Sequence, residues 1–149
     1  MKKIYYGKAV YDQKEINAVN KVLKTNSLSL IDGRNVKNLE KKISKIFGKK
    51  YGLMVNSGSS ALTLATNVLN FKKGDEVITP CLNFGTAVSS IMLSGAKPIL
   101  ADIDIDTLQI SINELQKKIT KKTKAIMVPN LIGNIPNWKK IKQIANKYN

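Results

Sequence analysis

The apolar positions of "DQKEINAVNKVLKT", residues 12–25, fall three and four apart: Ile16, Val19 and Leu23 share one face. That spacing predicts an amphipathic helix, with Asp12 as its cap. "SLSLIDGRN" comes next as a loop around the Asp32-Gly33 turn signal. "VKNLEKKISKIFG" repeats the helical pattern with Val36, Leu39, Ile43 and Ile46/Phe47, and Gly48 is its stop.

From residue 51 the pattern changes. Short continuous apolar runs near 52–56, 76–80, 98–103 and 125–130 predict four strands. A helical pattern comes after each of them. "SSALTLATNVLNF" turns Ala61, Leu62, Ala65, Val68 and Leu69 inward, and "NFGTAVSSIMLSG" closes on Gly95. In "SINELQKKI", Ser111 and Glu114 have capping-box spacing. "NWKKIKQIANKY" turns Trp138, Ile141 and Ile144 or Ala145 inward.

Strands with no polar alternation are buried on both faces, as in a parallel sheet between helix layers. The expected class is therefore α/β: a three-layer α/β/α arrangement with a mostly parallel sheet and right-handed crossovers. The last helical pattern reaches Asn149, where a further buried strand would be expected. The chain reads as part of a larger domain.

Composition narrows the chemistry. At 149 residues and 43% hydrophobic, the chain can bury one core of ordinary size. Cys81 is the single cysteine and there is no histidine, which excludes an internal disulfide, a cysteine metal cluster and a histidine base or metal site within this chain. No apolar run is long enough to span a membrane, and no apolar block comes after Lys2 and Lys3 to make a secretory signal; a cytoplasmic location is the default. The formal charge of +15 raises the question of nucleic acid. Nearly all of it is lysine, however, with Arg34 the only arginine, and the lysines are dispersed with few aromatics between them. Solvated helix faces account for them better.

Ligands of open parallel sheets bind beyond the carboxyl ends of the strands. After the first predicted strand stands Asn56-Ser57-Gly58-Ser59-Ser60. Gly58 admits an anion to the backbone, the helix start offers free N–H groups, and the serines add donors, which suits a phosphate monoester. From this motif alone, a plain serine cap with no ligand is the commoner reading. After the second strand, Phe84 is either a stacking ring or a core residue. After the third, Asp102, Asp104 and Asp106 are better read as a solvated loop than as a metal site, so no metal is assigned. After the fourth, Asn130 either forms a turn or points its amide at a ligand.

Taken in order, "VNSGSSAL" (55–62), "GDEVITP" (74–80), "AKPILADIDIDTLQI" (96–110) and "KKTKAIMVPNLIGN" (121–134) resemble the fold-type I enzymes that use pyridoxal 5′-phosphate (PLP), and more closely the DegT/StrS-type sugar aminotransferases. The upstream segment from Glu15 to Gly48 is similar to that family's opening helix, substrate-side loop and second helix.

The resemblance implies the rest. Residues 1–34 would form the N-terminal helix and substrate-side loop, and residues 35–149 the first part of the PLP-binding large domain. Gly58, Ser59 and Ser60 would hold the cofactor phosphate, Phe84 would stack on its ring, and Asn130 stands where the family often has His or Gln. The segment Leu30 to Gly33 would border the sugar. No catalytic residue is assigned in this chain: the Schiff-base lysine, and the aspartate that pairs with the pyridine nitrogen, are expected beyond residue 149. For the complete protein the resemblance implies amino transfer from a donor such as glutamate to a nucleotide-diphosphate keto-sugar, in a homodimer, with residues 1–149 alone inactive. A PLP-dependent nucleotide-sugar 3-dehydratase of the same family is the alternative. A non-catalytic phosphate- or nucleic-acid-binding α/β module is the alternative of another class.

Overall fold

A computed structural model describes residues 3–5, 7–25, 28 and 30–148. The chain divides into two compact units, Met1–Met54 and Val55–Asn149.

The first unit holds helices α1 (Gln13–Thr25) and α2 (Arg34–Ile46). Asp12 caps α1 as expected: its carboxylate accepts the Lys14 N–H at 2.6 Å, and its own N–H donates to Glu15 at 2.8 Å, closing a reciprocal box. Gly48, at φ +61, ends α2 in the left-handed region. The segment expected as a first strand, 52–56, is not one. It runs without regular secondary structure and pairs with no strand among the described residues. Its Met54 N–H is taken instead by the Glu40 carboxylate at 2.8 Å. Gly52 lies so close to α2 that an added Cβ would meet the Glu40 carbonyl oxygen at 2.7 Å. The apolar run is real, but a strand also needs a neighbour to take its backbone groups.

The second unit is the α/β sandwich. Helix α3 (Gly58–Asn67) comes first. Strands β1 (Glu76–Pro80), β2 (Lys97–Ala101) and β3 (Thr123–Ile126) then alternate with α4 (Gly85–Leu93) and α5 (Ile112–Lys118), before a 3₁₀ turn (Leu131–Gly133) and α6 (Trp138–Lys147). The three strands form one parallel sheet in the order β2-β1-β3.

The central strand explains the layering. All five residues of β1 are buried, and neighbours along it point to opposite faces. Ile78 joins Ala101, Ile110, Leu115, Ile141 and Ile144 in a core under α5 and α6. Val77 joins Ile91 and Ala96 in a second core under α4. Helices therefore cover both faces, and the three-layer expectation holds for this unit. The outer strands end earlier than their apolar runs. Beyond β2, the Asp102 carboxylate takes the N–H of Ile103 at 2.8 Å and turns the chain out of the ladder.

Some residues expected inward are not. Along α3 and just past its end, Ala61, Ala65, Val68 and Leu69 are exposed, and the buried side chain of α3 is Thr66. Its hydroxyl lies within hydrogen-bond reach of the Leu62 and Thr63 carbonyls of its own helix, each at 3.0 Å, and of the Ser90 carbonyl of α4 at 3.1 Å, so a polar contact takes the inward position on that helix. In α6, Ile141 and Ile144 are buried, while Trp138 is 43% exposed and Ala145 is exposed. Ser111 caps α5 by accepting the Glu114 N–H, but the Glu114 carboxylate turns to Lys117 at 2.8 Å and leaves the box half closed. That bond, and then the charge of Glu114, raises the Lys117 pKa above its usual value.

Candidate functional site

Parallel pairing puts the carboxyl ends of β1, β2 and β3 at one end of the sheet, and the segments leaving the three strands gather there. Phe84 and the start of α4 come after β1, Asp102 after β2, and Asn130 after β3. The hydrogen bond from Thr66 to Ser90 joins the later half of α3 to the later half of α4.

The start of α3 is built by four consecutive polar residues and the glycine among them. Ser57 is its cap, in extended conformation, and its hydroxyl accepts the Ser60 N–H at 3.1 Å. The Ser60 hydroxyl donates to the Asn56 side-chain carbonyl at 2.7 Å. Ser60 is thus braced from inside the chain. Among the described residues no acceptor meets the N–H of Gly58 or Ser59, the first two donors of the helix. A Cβ placed on Gly58 would find nothing within 4 Å, so no side chain or backbone crowds this residue. Residues 51–71 hold no lysine or arginine, so what this segment itself offers an anion is the helix dipole and the N–H and O–H donors.

The other expected residues are placed as described next to their elements. Phe84 is the cap residue of α4 and is 71% exposed among the described residues. Its N–H is held by the Asn83 side-chain carbonyl at 2.7 Å, and the Asn83 amide donates to Thr79 on β1 at 3.1 Å. Asn130 is exposed, and its side-chain carbonyl accepts the indole N–H of Trp138 at 3.1 Å. The three aspartates act locally: Asp102 also lies 3.4 Å from the Cys81 thiol, and Asp104 accepts the Asp106 N–H at 3.0 Å. Among the described residues no group of three acidic, Cys or His side chains is arranged to hold a metal.

Sequence reasoning named Asn56 and Ser57 at this end without their bracing of Ser60, and missed Trp138, which it read as core. The role of Ser57 was legible in principle, since a serine three residues before Ser60 and just ahead of an apolar run is a cap signature. The roles of the other two depend on contacts that sequence does not show.

The parallel sheet between helix layers is shared with solved fold-type I PLP transferases. The chain belongs to the DegT/DnrJ/EryC1/StrS aminotransferase family, whose model matches residues 10–149. Among its relatives, GDP-4-keto-6-deoxy-D-mannose 3-dehydratase of Yersinia pseudotuberculosis is 37% identical over 143 residues, covering 92% of this chain and 36% of the relative. The dTDP-3-amino-3,6-dideoxy-alpha-D-galactopyranose transaminase of Aneurinibacillus thermoaerophilus is 39% identical over 138 residues, covering 92% of this chain and 38% of the relative. The structure of the Escherichia coli GDP-4-keto-6-deoxy-D-mannose-3-dehydratase with bound hydrated PLP superimposes with a TM-score of 0.85 at 36% identity, covering 93% of this chain and 37% of that one. The chain thus spans little more than a third of the length of these relatives.

Proposed function

We propose that the complete protein is a PLP-dependent aminotransferase acting on a nucleotide-linked keto-sugar, and that this chain supplies the phosphate end of the cofactor site. The observation that carries the reading is the start of α3, where the N–H groups of Gly58 and Ser59 meet no acceptor among the described residues and Gly58 is uncrowded. The residues present fit the group. A phosphate monoester needs convergent donors and no steric wall, and the helix start provides both.

In this reading Gly58 and Ser59 bind the phosphate directly. Ser60 contributes by bracing: its N–H and hydroxyl are already engaged by Ser57 and Asn56, which fixes the first turn before any ligand arrives. Phe84 covers one face of the cofactor ring, and Asn83 holds the Phe84 backbone in place. Asn130 supplies an amide donor from the far side of β1. Bound PLP supplies the electron sink, while the protein orients it and excludes water. The segment Leu30 to Gly33 borders the sugar. The division of roles at residue 34 belongs to the same reading.

The amino donor is of the glutamate class, and the assembled enzyme is a cytoplasmic homodimer. The family supports both. For location, no helix among the described residues is long and apolar enough to cross a membrane.

The second reading, a 3-dehydratase, is favoured by one specific observation: relatives with that activity match at the same level as the transaminase, 37% against 39% identity. The test is to purify the full-length gene product, load it with PLP, and supply a nucleotide-linked 4-keto-6-deoxy-sugar with glutamate. An amino-sugar product supports the aminotransferase. A 3-deoxy product with no nitrogen retained supports the dehydratase. No PLP uptake, with tight binding of a nucleic acid that survives physiological salt, supports the non-catalytic module instead.

A further inference from the structure

The bond between Trp138 and Asn130 fixes more than a contact. An indole N–H can only donate, so the atom of the Asn130 amide that faces it is the carbonyl oxygen. The amide NH₂ is then turned away from α6, and among the described residues it meets no acceptor. Without that partner the amide is nearly symmetric in shape, and either end can face a ligand.

The loop that carries Asn130 is held from a second side. The Gln109 side chain, only 6% exposed, reaches across to the Leu131 carbonyl at 3.5 Å. The Asn134 amide donates to the Thr107 carbonyl at 3.3 Å. Between these points Ile132 stands at φ +48, a strained conformation for a β-branched residue, which the flanking bonds help to hold. The loop is therefore fixed in place, and the open choice at Asn130 is which end of its amide points outward.

We propose that Trp138 is a positioning residue that presents Asn130 as a hydrogen-bond donor to an acceptor oxygen of the ligand bound beyond the carboxyl ends of the strands. The inference rests on the reading under Proposed function. The acceptor is an oxygen of the PLP ring or of the keto-sugar, and both offer the same chemistry to an amide N–H. Exposure of Trp138 fits this role, since the ring adds little to the core while its N–H is engaged.

The test uses the full-length protein and a double-mutant cycle on PLP dissociation and on the KM for the keto-sugar. Trp138→Phe keeps the ring and removes the donor; it should weaken one of the two about 3- to 10-fold, the span of one ordinary hydrogen bond. Loss in PLP binding identifies the ring oxygen, and loss in KM identifies the sugar. Asn130→Ala should lose at least as much, and Trp138→Phe combined with Asn130→Ala should be no worse than Asn130→Ala alone. Asn130→Asp keeps an acceptor for the indole but offers no outward donor, and should match Asn130→Ala. Unchanged affinities in Trp138→Phe would overturn the proposal, as would losses that add in the double variant, because Trp138 would then act by packing alone. Wild-type protein that takes up no PLP would overturn the proposal together with the reading beneath it, whereas variant losses that fail while wild type binds PLP overturn the proposal only.

Discussion

The Ser57 hydroxyl accepts the Ser60 N–H at 3.1 Å, and this bond sets which donors at the start of α3 remain for a ligand. The cap consumes the third N–H of the helix and leaves the first two without an acceptor among the described residues. The same serine cluster that suggests an anion cup is thus divided between structure and binding.

Separate substitutions should part the two roles. Ser57→Ala removes the cap and should cost about 1 kcal/mol of stability in denaturant unfolding of the full-length protein. Gly58→Pro removes one outward N–H at a helix position that tolerates proline, and the extended Ser57 before it suits a pre-proline residue. It should leave unfolding nearly unchanged while PLP is lost more readily on dialysis, followed by the cofactor absorbance. Equal retention in Gly58→Pro and wild type would remove the phosphate from this helix.

Phe84 is exposed, so truncating it should hardly touch the fold. Phe84→Ala is expected to change stability by less than about 0.5 kcal/mol, as for other surface positions. Cofactor retention should nevertheless fall. A large loss of stability with retention unchanged would support the core role instead.

Thr66 ties α3 to α4 through the Ser90 carbonyl, which also accepts the Ser94 N–H within its own chain segment. Thr66→Val keeps the shape and deletes the donor. Because the carbonyl retains a partner, the expected cost is about 1 kcal/mol, read as a lowered unfolding midpoint. PLP retention should fall with it, since the tie joins α3 to α4. A variant with unaltered stability and retention would show that packing alone aligns the helices.

A polypeptide of residues 1–149 alone should show no amino transfer to a keto-sugar nucleotide. The resemblance places the Schiff-base lysine and its partner aspartate outside these residues, so the phosphate cup and Phe84 would hold PLP without operating it. Turnover by this polypeptide in a direct assay would require a catalytic lysine within the chain.

The sequence by itself determined the helices and the parallel sheet, because both arise from local spacing. The three- and four-residue spacing of Ile16, Val19 and Leu23 marks α1, and the unbroken apolar run of β1 marks a strand buried on both faces. It also marked the polar start of α3, since Gly58 and the serines around it are neighbours in the chain. What it did not determine were properties that depend on partners distant in sequence. The run at 52–56 has strand composition but no neighbour in the sheet, and Met54 bonds to Glu40 instead. Thr66 is buried because Ser90 lies across from it, 24 residues away. Trp138, read as core from its place on the α6 pattern, is drawn to Asn130, whose carbonyl becomes available only where the chain leaves β3. Apolar period reports which face of an element prefers to be inside; only the tertiary structure decides which polar atoms meet there, because a hydrogen bond requires two groups within about 3 Å of each other and spacing along one element does not fix the other.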